Sequence, residues 1–313
     1  MIFSFFHTKL SFSVYHNRLI YDRIIVITGP TGVGKTKLSI TLAKKYNAEI
    51  IDADAMQVYK GLDIGTAKIT NEEKRNIPHH LLDIKDVSED YTIYDYQKDV
   101  RKILDKDNNK TYIMVGGSNL YIKAALYDYS LKDNIINNNY DDLSNEEIYQ
   151  KLLLLDKDIV IDSKNRRRLI RALNYYLENN ESINKNDNGN KLLYNAIFIG
   201  LTTNREKLYD IINSRVDTMI NNGLINEVKY FYDNNMLYKP ILNGIGYKEV
   251  ISYLNKEIDY NTMIELIKKN SRHYAKRQYT FMNNKMNIKW FNVDFNNFKN
   301  TEEEVISYLE ESI

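Results

Sequence analysis

Lys35 and Thr36 close the run Gly29-Pro30-Thr31-Gly32-Val33-Gly34-Lys35-Thr36, a G-x-x-x-x-G-K-T pattern. That spacing suits a polyphosphate. Glycines let the backbone curl until several N–H groups point at one anion, and a helix starting at the lysine adds its positive end. Lys35 supplies a point charge, and the Thr36 hydroxyl is suited to Mg²⁺. A second reactive candidate is Asp54, in Ala53-Asp54-Ala55-Met56-Gln57-Val58-Tyr59. It follows a strand-like run, Glu49 to Asp52, and open α/β sheets place their chemistry where strands end. Asp is also a common helix cap, and the residues alone leave both roles open. Lys68 ends the Gly-punctuated stretch from Lys60 and could reach a phosphate, although most loop lysines are solvated. His79 and His80 are adjacent on a short strand-like segment, so they face opposite ways and make a poor metal pair.

Positive charge gathers in two further places. Lys164 to Arg171 holds five cations in eight residues, Arg167, Arg168 and Arg171 among them. A solvated helix face and a phosphate-backbone contact both account for it. From Leu266 to Val293 there is no acidic residue. Lys268, Arg272 and Lys276 fall four apart, and Lys269, His273 and Arg277 form the neighbouring stripe, so each set shares a helix face. With Tyr274, Tyr279 and Phe281 beside them, these stripes suit nucleic acid: cations for phosphates, aromatics for unstacked bases.

The elements that must position these groups read as an α/β fold. Ile24 to Ile27 is a β-branched run that stops at the phosphate loop, and Lys37 to Lys44 continues as a helix. Further strands are expected at 49–52, 78–84, 111–115, 195–201 and 288–291. Helices are expected at 94–104, with Tyr96, Val100, Ile103 and Leu104 inward, and at 301–309. Gly116-Gly117-Ser118 turns from a strand into a helix, and Asn243-Gly244-Ile245-Gly246-Tyr247-Lys248 is another Gly-rich entry to a helix. The expected architecture is a P-loop NTPase-like core with a mostly parallel sheet flanked by helices, built from 23–130 and 192–313. A short helical insertion at 131–191 is expected to contact RNA. Residues 1–22 are expected to be a loosely attached extension.

Composition bounds the rest. The chain of 313 residues can bury a large core. Its formal net charge of +1 means that any nucleic-acid site must be local. With no cysteine, disulfides, zinc fingers and Cys nucleophiles are excluded. No apolar stretch reaches transmembrane length, which fits a cytoplasmic protein with no membrane partner.

Taken together, GPTGVGKT (29–36), DAMQVYKGLDIGTAK (54–68), PHHLLDI (78–84), VGGSNLY (115–121), NRRRLIRAL (165–173), GIGYKE (244–249) and AKRQYTF (275–281) resemble the tRNA dimethylallyltransferase family, also called tRNA isopentenyltransferases. The pieces keep the family's order across residues 24–292. DAMQVYKGLDIGTAK is the most specific of them, whereas the P-loop is shared by many families. The resemblance implies transfer of a dimethylallyl group from dimethylallyl diphosphate to N6 of the adenosine at position 37 of tRNAs reading codons that begin with U. It implies that the P-loop holds the leaving diphosphate with Mg²⁺ on Thr36. Lys35, Thr36, Arg215 and Asp54 would form the catalytic set, Arg215 matching the family's phosphate-binding arginine and Asp54 the acid near the reacting amine. It also implies an anticodon stem-loop contacted by Asp54, Ala55, Met56, Gln57, Ser118, Arg167, Arg168, Arg171, Gly244, Gly246, Tyr247, Lys248, Lys276, Arg277 and Gln278, and a monomeric enzyme. The chain departs from the family at Ala55, where Ser is usual, at Ser118, where Thr is usual, and at Asp162-Ser163-Lys164-Asn165, where His-Pro-Asn leads into the arginines. The last of these falls in the insertion, which is also short for the family, and touches its fine tRNA contacts.

Three other readings compete. A P-loop nucleotide kinase explains 24–36 but not DAMQVYKGLDIGTAK. An adenylate isopentenyltransferase would share the core, but the basic stripes favour a large RNA. A non-enzymatic RNA-binding module leaves the P-loop and Asp54 without a role.

Overall fold

A computed structural model describes residues 24–107, 109–129, 138–185 and 190–312. The expected extension, 1–22, lies outside the described residues. The chain divides into two compact units, one made of residues up to Leu126 and from Leu193 onward, the other of Tyr127–Leu192.

The first unit is built on a six-stranded sheet. In chain order its strands are β1 (Ile24–Thr28), β2 (Glu49–Asp52), β3 (His79–His80), β4 (Tyr112–Val115), β5 (Ala196–Thr202) and β6 (Lys289–Asn292). The spatial order is β3-β2-β4-β1-β5-β6, and every neighbouring pair is parallel. Parallel strands are covered on both faces, so they need apolar side chains without alternation. Ile24, Ile25, Val26 and Ile27 meet that need, and all are buried.

Helix α1 (Lys35–Tyr46) follows the phosphate loop and buries Leu38 and Leu42 in the core. After the four-residue α2 (Asn71–Lys74), α3 (Ile93–Leu104) starts from a Thr92 cap, with Asp95 reaching back to the Thr92 N–H. Its buried face is Tyr96, Gln97, Val100 and Leu104. Gln97 joins this face, its amide donating to the Ala124 carbonyl at 2.6 Å in α4 (Asn119–Leu126), and the expected Ile103 is half-buried. The strand expected over 78–84 shrinks to two residues. Leu81 and Asp83 adopt positive φ, +66° and +55°, which an extended run does not allow.

The second unit packs α5 (Asn145–Leu155) on α6 (Arg166–Asn179) through Ile148, Leu152, Leu169, Ala172 and Leu173. Ser144 and Glu147 form a capping box at the start of α5. The first unit resumes with α7 (Arg205–Asn221), capped by Asn204, then α8 (Leu224–Asp233), α9 (Lys239–Asn243) and α10 (Tyr247–Leu254). The 26-residue α11 (Tyr260–Lys285) and α12 (Phe298–Glu311) complete it. Among the described residues, no helix is long and apolar enough to cross a membrane.

Candidate active site

The loop Gly29 to Gly34 joins the C-terminal end of β1 to the start of α1. At Gly29 (φ +139°) any Cβ would run into the Leu201 backbone, so only glycine lets the loop pass that close to β5. Lys35 folds back on this loop, donating to the carbonyls of Gly29 (2.9 Å) and Pro30 (2.7 Å). Burial, helped by the nearby Arg215 cation, pushes its ammonium down to about 7, and Asp54 opposes that shift. Burial likewise pulls Arg215 down, again against Asp54. Lys35, Arg215 and Asp54 therefore sit within electrostatic reach of one another. An anion between the two cations would relieve the strain of keeping both charged in a desolvated place.

The Thr36 residue is exposed in the first turn of α1, and its hydroxyl makes no hydrogen bond among the described residues. No cluster of three or more His, Cys, Asp or Glu that could hold a metal occurs among the described residues. That donor set fits Mg²⁺, which is usually held by one or two protein oxygens with phosphates and water, and does not fit an all-protein metal cage.

Asp54 leaves β2 two residues after Asp52. Its Oδ1 accepts the Met56 N–H at 2.9 Å, and its own N–H donates to Asp52 Oδ2 at 3.1 Å. Asp52 is buried, and burial followed by the Asp54 charge raises its carboxyl well above the usual range. Asp52 was not singled out in the sequence, where it reads as the end of a strand. It anchors the Asp54 backbone by accepting its N–H. The only signal available was two carboxylates at i and i+2 leaving one strand.

The Gly116-Gly117-Ser118 turn closes on the same loop. Ser118 N–H donates to the Ala53 carbonyl at 3.0 Å, and Ser118 Oγ accepts the Ala55 N–H at 3.0 Å. Ala55 needs no hydroxyl for this link, since its backbone supplies the donor. Gln278, on α11, is buried and donates to the Gly117 carbonyl at 2.9 Å. Tyr274 lies one turn earlier, and burial with the Asp54 charge pushes its phenol up to about 12. Gln57 Nε2 donates to the Thr66 carbonyl at 3.2 Å, and Arg215 Nη2 donates to that same oxygen at 3.2 Å. Gly244 lies close against the Met56 side chain. The N–H of Gly246 donates to Glu249 at 2.7 Å, and Lys248 is exposed.

Several sequence expectations change. Lys68 does not face a phosphate. Its side chain is 4% exposed and its ammonium is used up by the Tyr59 carbonyl (2.8 Å), Asp63 (2.8 Å) and Asp83 (2.5 Å). Tyr247, expected at the RNA, is 1% exposed and donates its hydroxyl to Glu227 at 2.6 Å. The stripe Lys268–Arg272–Lys276 is not a free face. Lys268 pairs with Asp217 at 2.8 Å, and Arg272 donates to Asn213 at 2.6 Å beside the Tyr209 ring, all on α7. In the neighbouring stripe Lys269, His273 and Arg277 are exposed, with Arg277 over the Tyr274 ring, and Lys276 of the first stripe is exposed as well. In α6, Arg166 is consumed by the Leu143 and Tyr140 carbonyls, while Arg167, Arg168 and Arg171 are exposed and their side chains have no partner among the described residues. His80 pairs with Glu49 at 2.7 Å and His79 with the Ile77 carbonyl.

A parallel sheet whose first strand enters a phosphate loop, with an acid and two half-buried cations within electrostatic reach of one another beside it, is the arrangement of a P-loop protein. The family model described as IPP transferase matches residues 57–285. The chain is 43% identical to a tRNA dimethylallyltransferase of Anoxybacillus flavithermus, covering 92% of this chain and 96% of that one. It is 42% identical to the Bacillus subtilis tRNA dimethylallyltransferase, covering 86% and 90%. Among solved structures, a tRNA delta(2)-isopentenylpyrophosphate transferase from Staphylococcus epidermidis matches with a TM-score of 0.71 at 35% identity, covering 93% of this chain and 99% of that one. A eukaryotic dimethylallyltransferase acting on tRNA matches with a TM-score of 0.81 at 27% identity, covering 91% and 77%. The chain belongs to the IPP transferase family.

Proposed function

We propose that this protein transfers the dimethylallyl group of dimethylallyl diphosphate to a tRNA adenosine, at N6 of position 37 in tRNAs that read codons beginning with U. The observation that carries the reading is Asp54 within electrostatic reach of Lys35 and Arg215 at the mouth of the phosphate loop. In the reaction the N6 lone pair forms a bond to the first carbon of the dimethylallyl group. The bond from that carbon to diphosphate oxygen breaks, and its electron pair leaves with the diphosphate. Loop N–H groups, Lys35 and Arg215 meet the negative charge where it grows. The free Thr36 hydroxyl would hold Mg²⁺, whose charge would add to that neutralisation. Asp54 accepts a hydrogen bond from the exocyclic amine, orients it and takes its proton as the new bond forms. The base would reach this point only by leaving the anticodon stack, and Gln57, Ser118 and Gln278 are the polar groups assigned to its recognition.

Arg166, Arg167 and Arg168 occupy the first turn of α6, with no acidic residue there. The helix N-terminus carries partial positive charge, so three cations in that turn weaken the helix. An RNA phosphate on Arg167, Arg168 and Arg171 would offset this, which supports the insertion as part of the RNA-binding surface. Lys269, Lys276 and Arg277 on α11 are assigned the same role.

The test is to incubate the protein and Mg²⁺ with labelled dimethylallyl diphosphate and, in separate reactions, tRNA or AMP, and with labelled ATP plus an acceptor. Label in tRNA, located at N6 of the adenosine after the anticodon, is the expected result. Label in AMP would favour a free-nucleotide prenyltransferase, and phosphoryl transfer from ATP would make the protein a kinase; either result with unlabelled tRNA refutes the reading.

A further inference from the structure

One carboxylate outside the phosphate loop collects four donors. Glu227, in the first turn of α8, accepts the N–H groups of three successive residues: Asp63 (3.1 Å) and Ile64 (2.7 Å) on Oε2, and Gly65 (3.1 Å) on Oε1. The Tyr247 hydroxyl, from the start of α10, donates to Oε1 at 2.6 Å. Gly65 sits so close to the Tyr247 ring that a Cβ there would collide with it. Consecutive N–H groups turned to one side form a concave anion seat, which Glu227 fills from another part of the chain.

The next carbonyl in the loop does the further work. Thr66 O accepts both Gln57 Nε2 and Arg215 Nη2, each at 3.2 Å. An arginine carries five N–H donors in a rigid planar fork. Tying one of them to a neutral carbonyl aims the rest of the fork without neutralising it, and Arg215 is the cation that shifts Lys35. Gln57 is aimed by the same oxygen. The loop 63–66 is thus a single mount for two side chains, one turned to the phosphate loop and one in the Asp54 loop.

We propose that Glu227, held by Tyr247, is a positioning residue: it fixes the 63–66 loop so that Thr66 O pre-orients Arg215 for the diphosphate and Gln57 for the adenine. This rests on the phosphate-site reading above. Pre-orientation removes ordering that diphosphate binding would otherwise have to supply, so its loss appears as weaker binding. A carboxylate that only anchors a loop would lower thermal stability without any link to Arg215.

A double-mutant cycle separates the two. Calorimetry with inorganic diphosphate and Mg²⁺ is run on wild type, Glu227→Gln, Arg215→Ala and the double variant. The Gln amide keeps one acceptor but turns an NH₂ toward backbone N–H groups. Glu227→Gln is expected to weaken diphosphate binding by about tenfold in the wild-type background and by less than about threefold when Arg215 is already Ala. Equal losses in both backgrounds, or unchanged affinity, would overturn the proposal. If Glu227→Gln melts at the assay temperature, Tyr247→Phe is used in its place. It keeps the ring under Gly65, removes one donor to Glu227, and is expected to show a smaller loss with the same dependence on Arg215; additivity there overturns the proposal equally. Wild-type protein that binds no diphosphate would overturn the phosphate site itself, and this inference with it.

Discussion

Diphosphate binding at pH 8 should draw most of one proton from solution, and that proton should land on Lys35. In the free protein its ammonium is pushed down to about 7 by burial and by Arg215. At pH 8 it is then charged about one-tenth of the time, and at pH 6 about nine-tenths. Diphosphate beside the loop reverses the electrostatics and favours the charged form at both values. Binding should therefore take up about 0.9 proton at pH 8 and about 0.1 at pH 6 through this residue, and affinity should fall about tenfold for each pH unit above 7. The assay is calorimetry in two buffers of different ionisation enthalpy, with Lys35→Met as reference so that titration of diphosphate itself cancels in the difference. Proton uptake that is the same for both proteins at pH 8 would refute the reasoning, because Lys35 would then be charged before the ligand arrives. The sign for stability is fixed by the same shift. The folded pKa lies below the unfolded one, so between about pH 7 and 10.5 the unfolded chain binds the extra proton. Lys35 thus makes the wild type gain stability as pH rises through that window and lose it as pH falls toward 7, and the melting temperature of Lys35→Met should lack that component.

Two further outcomes follow from the site. Asp54→Asn keeps the acceptor for the Met56 N–H but cannot take a proton, so single-turnover rates at saturating tRNA should fall roughly 10²–10⁴-fold with tRNA affinity nearly unchanged; near-wild-type rates would leave Asp54 a loop cap. Reversing the exposed Lys269, Lys276 and Arg277 to Glu should weaken tRNA binding and flatten the dependence of log affinity on log salt. The same reversal at Lys268 and Arg272, which face α7, should chiefly lower the melting temperature.

What could be read in advance depended on whether partners are close in sequence. The phosphate loop is contiguous, so strand, glycines, Lys35 and helix announce one another. Asp54 was legible as an acid leaving a strand, though its role as base or cap was not. The basic stripes of α11 were legible as stripes, since helical spacing fixes which residues share a face. Which of the two faces inward was not legible, because Asp217 and Asn213 lie on another helix and nothing in the spacing of Lys268 and Arg272 points to them. Glu227 was hidden for the same reason: it reaches the N–H groups of residues 63–65 across more than 160 positions. Lys68 misled because a cation ending a Gly-rich loop looks alike whether it meets a phosphate or, as here, two aspartates of its own neighbourhood.

The sheet order explains why two chemistries meet at one point. β4 lies between β1 and β2, and Val115 pairs with Ile27 on one side and with Asp52 on the other. Three loops therefore leave the sheet at the same level: the phosphate loop after β1, the glycine turn after β4 and the Asp54 loop after β2. The middle loop is the one built small. Gly116 donates to the Ile27 carbonyl at 3.3 Å, and Ser118 donates to the Ala53 carbonyl at 3.0 Å, so this turn ties the outer two together while adding little side-chain bulk between them. An acid on the strand next to β1 would lie directly against the phosphate loop. Placed one strand further away, Asp54 is separated from the phosphate loop by the glycine turn after β4. On the proposed reaction a planar base and an allylic carbon would have to meet between that acid and the diphosphate, and a separating turn of small residues is what would leave room for them.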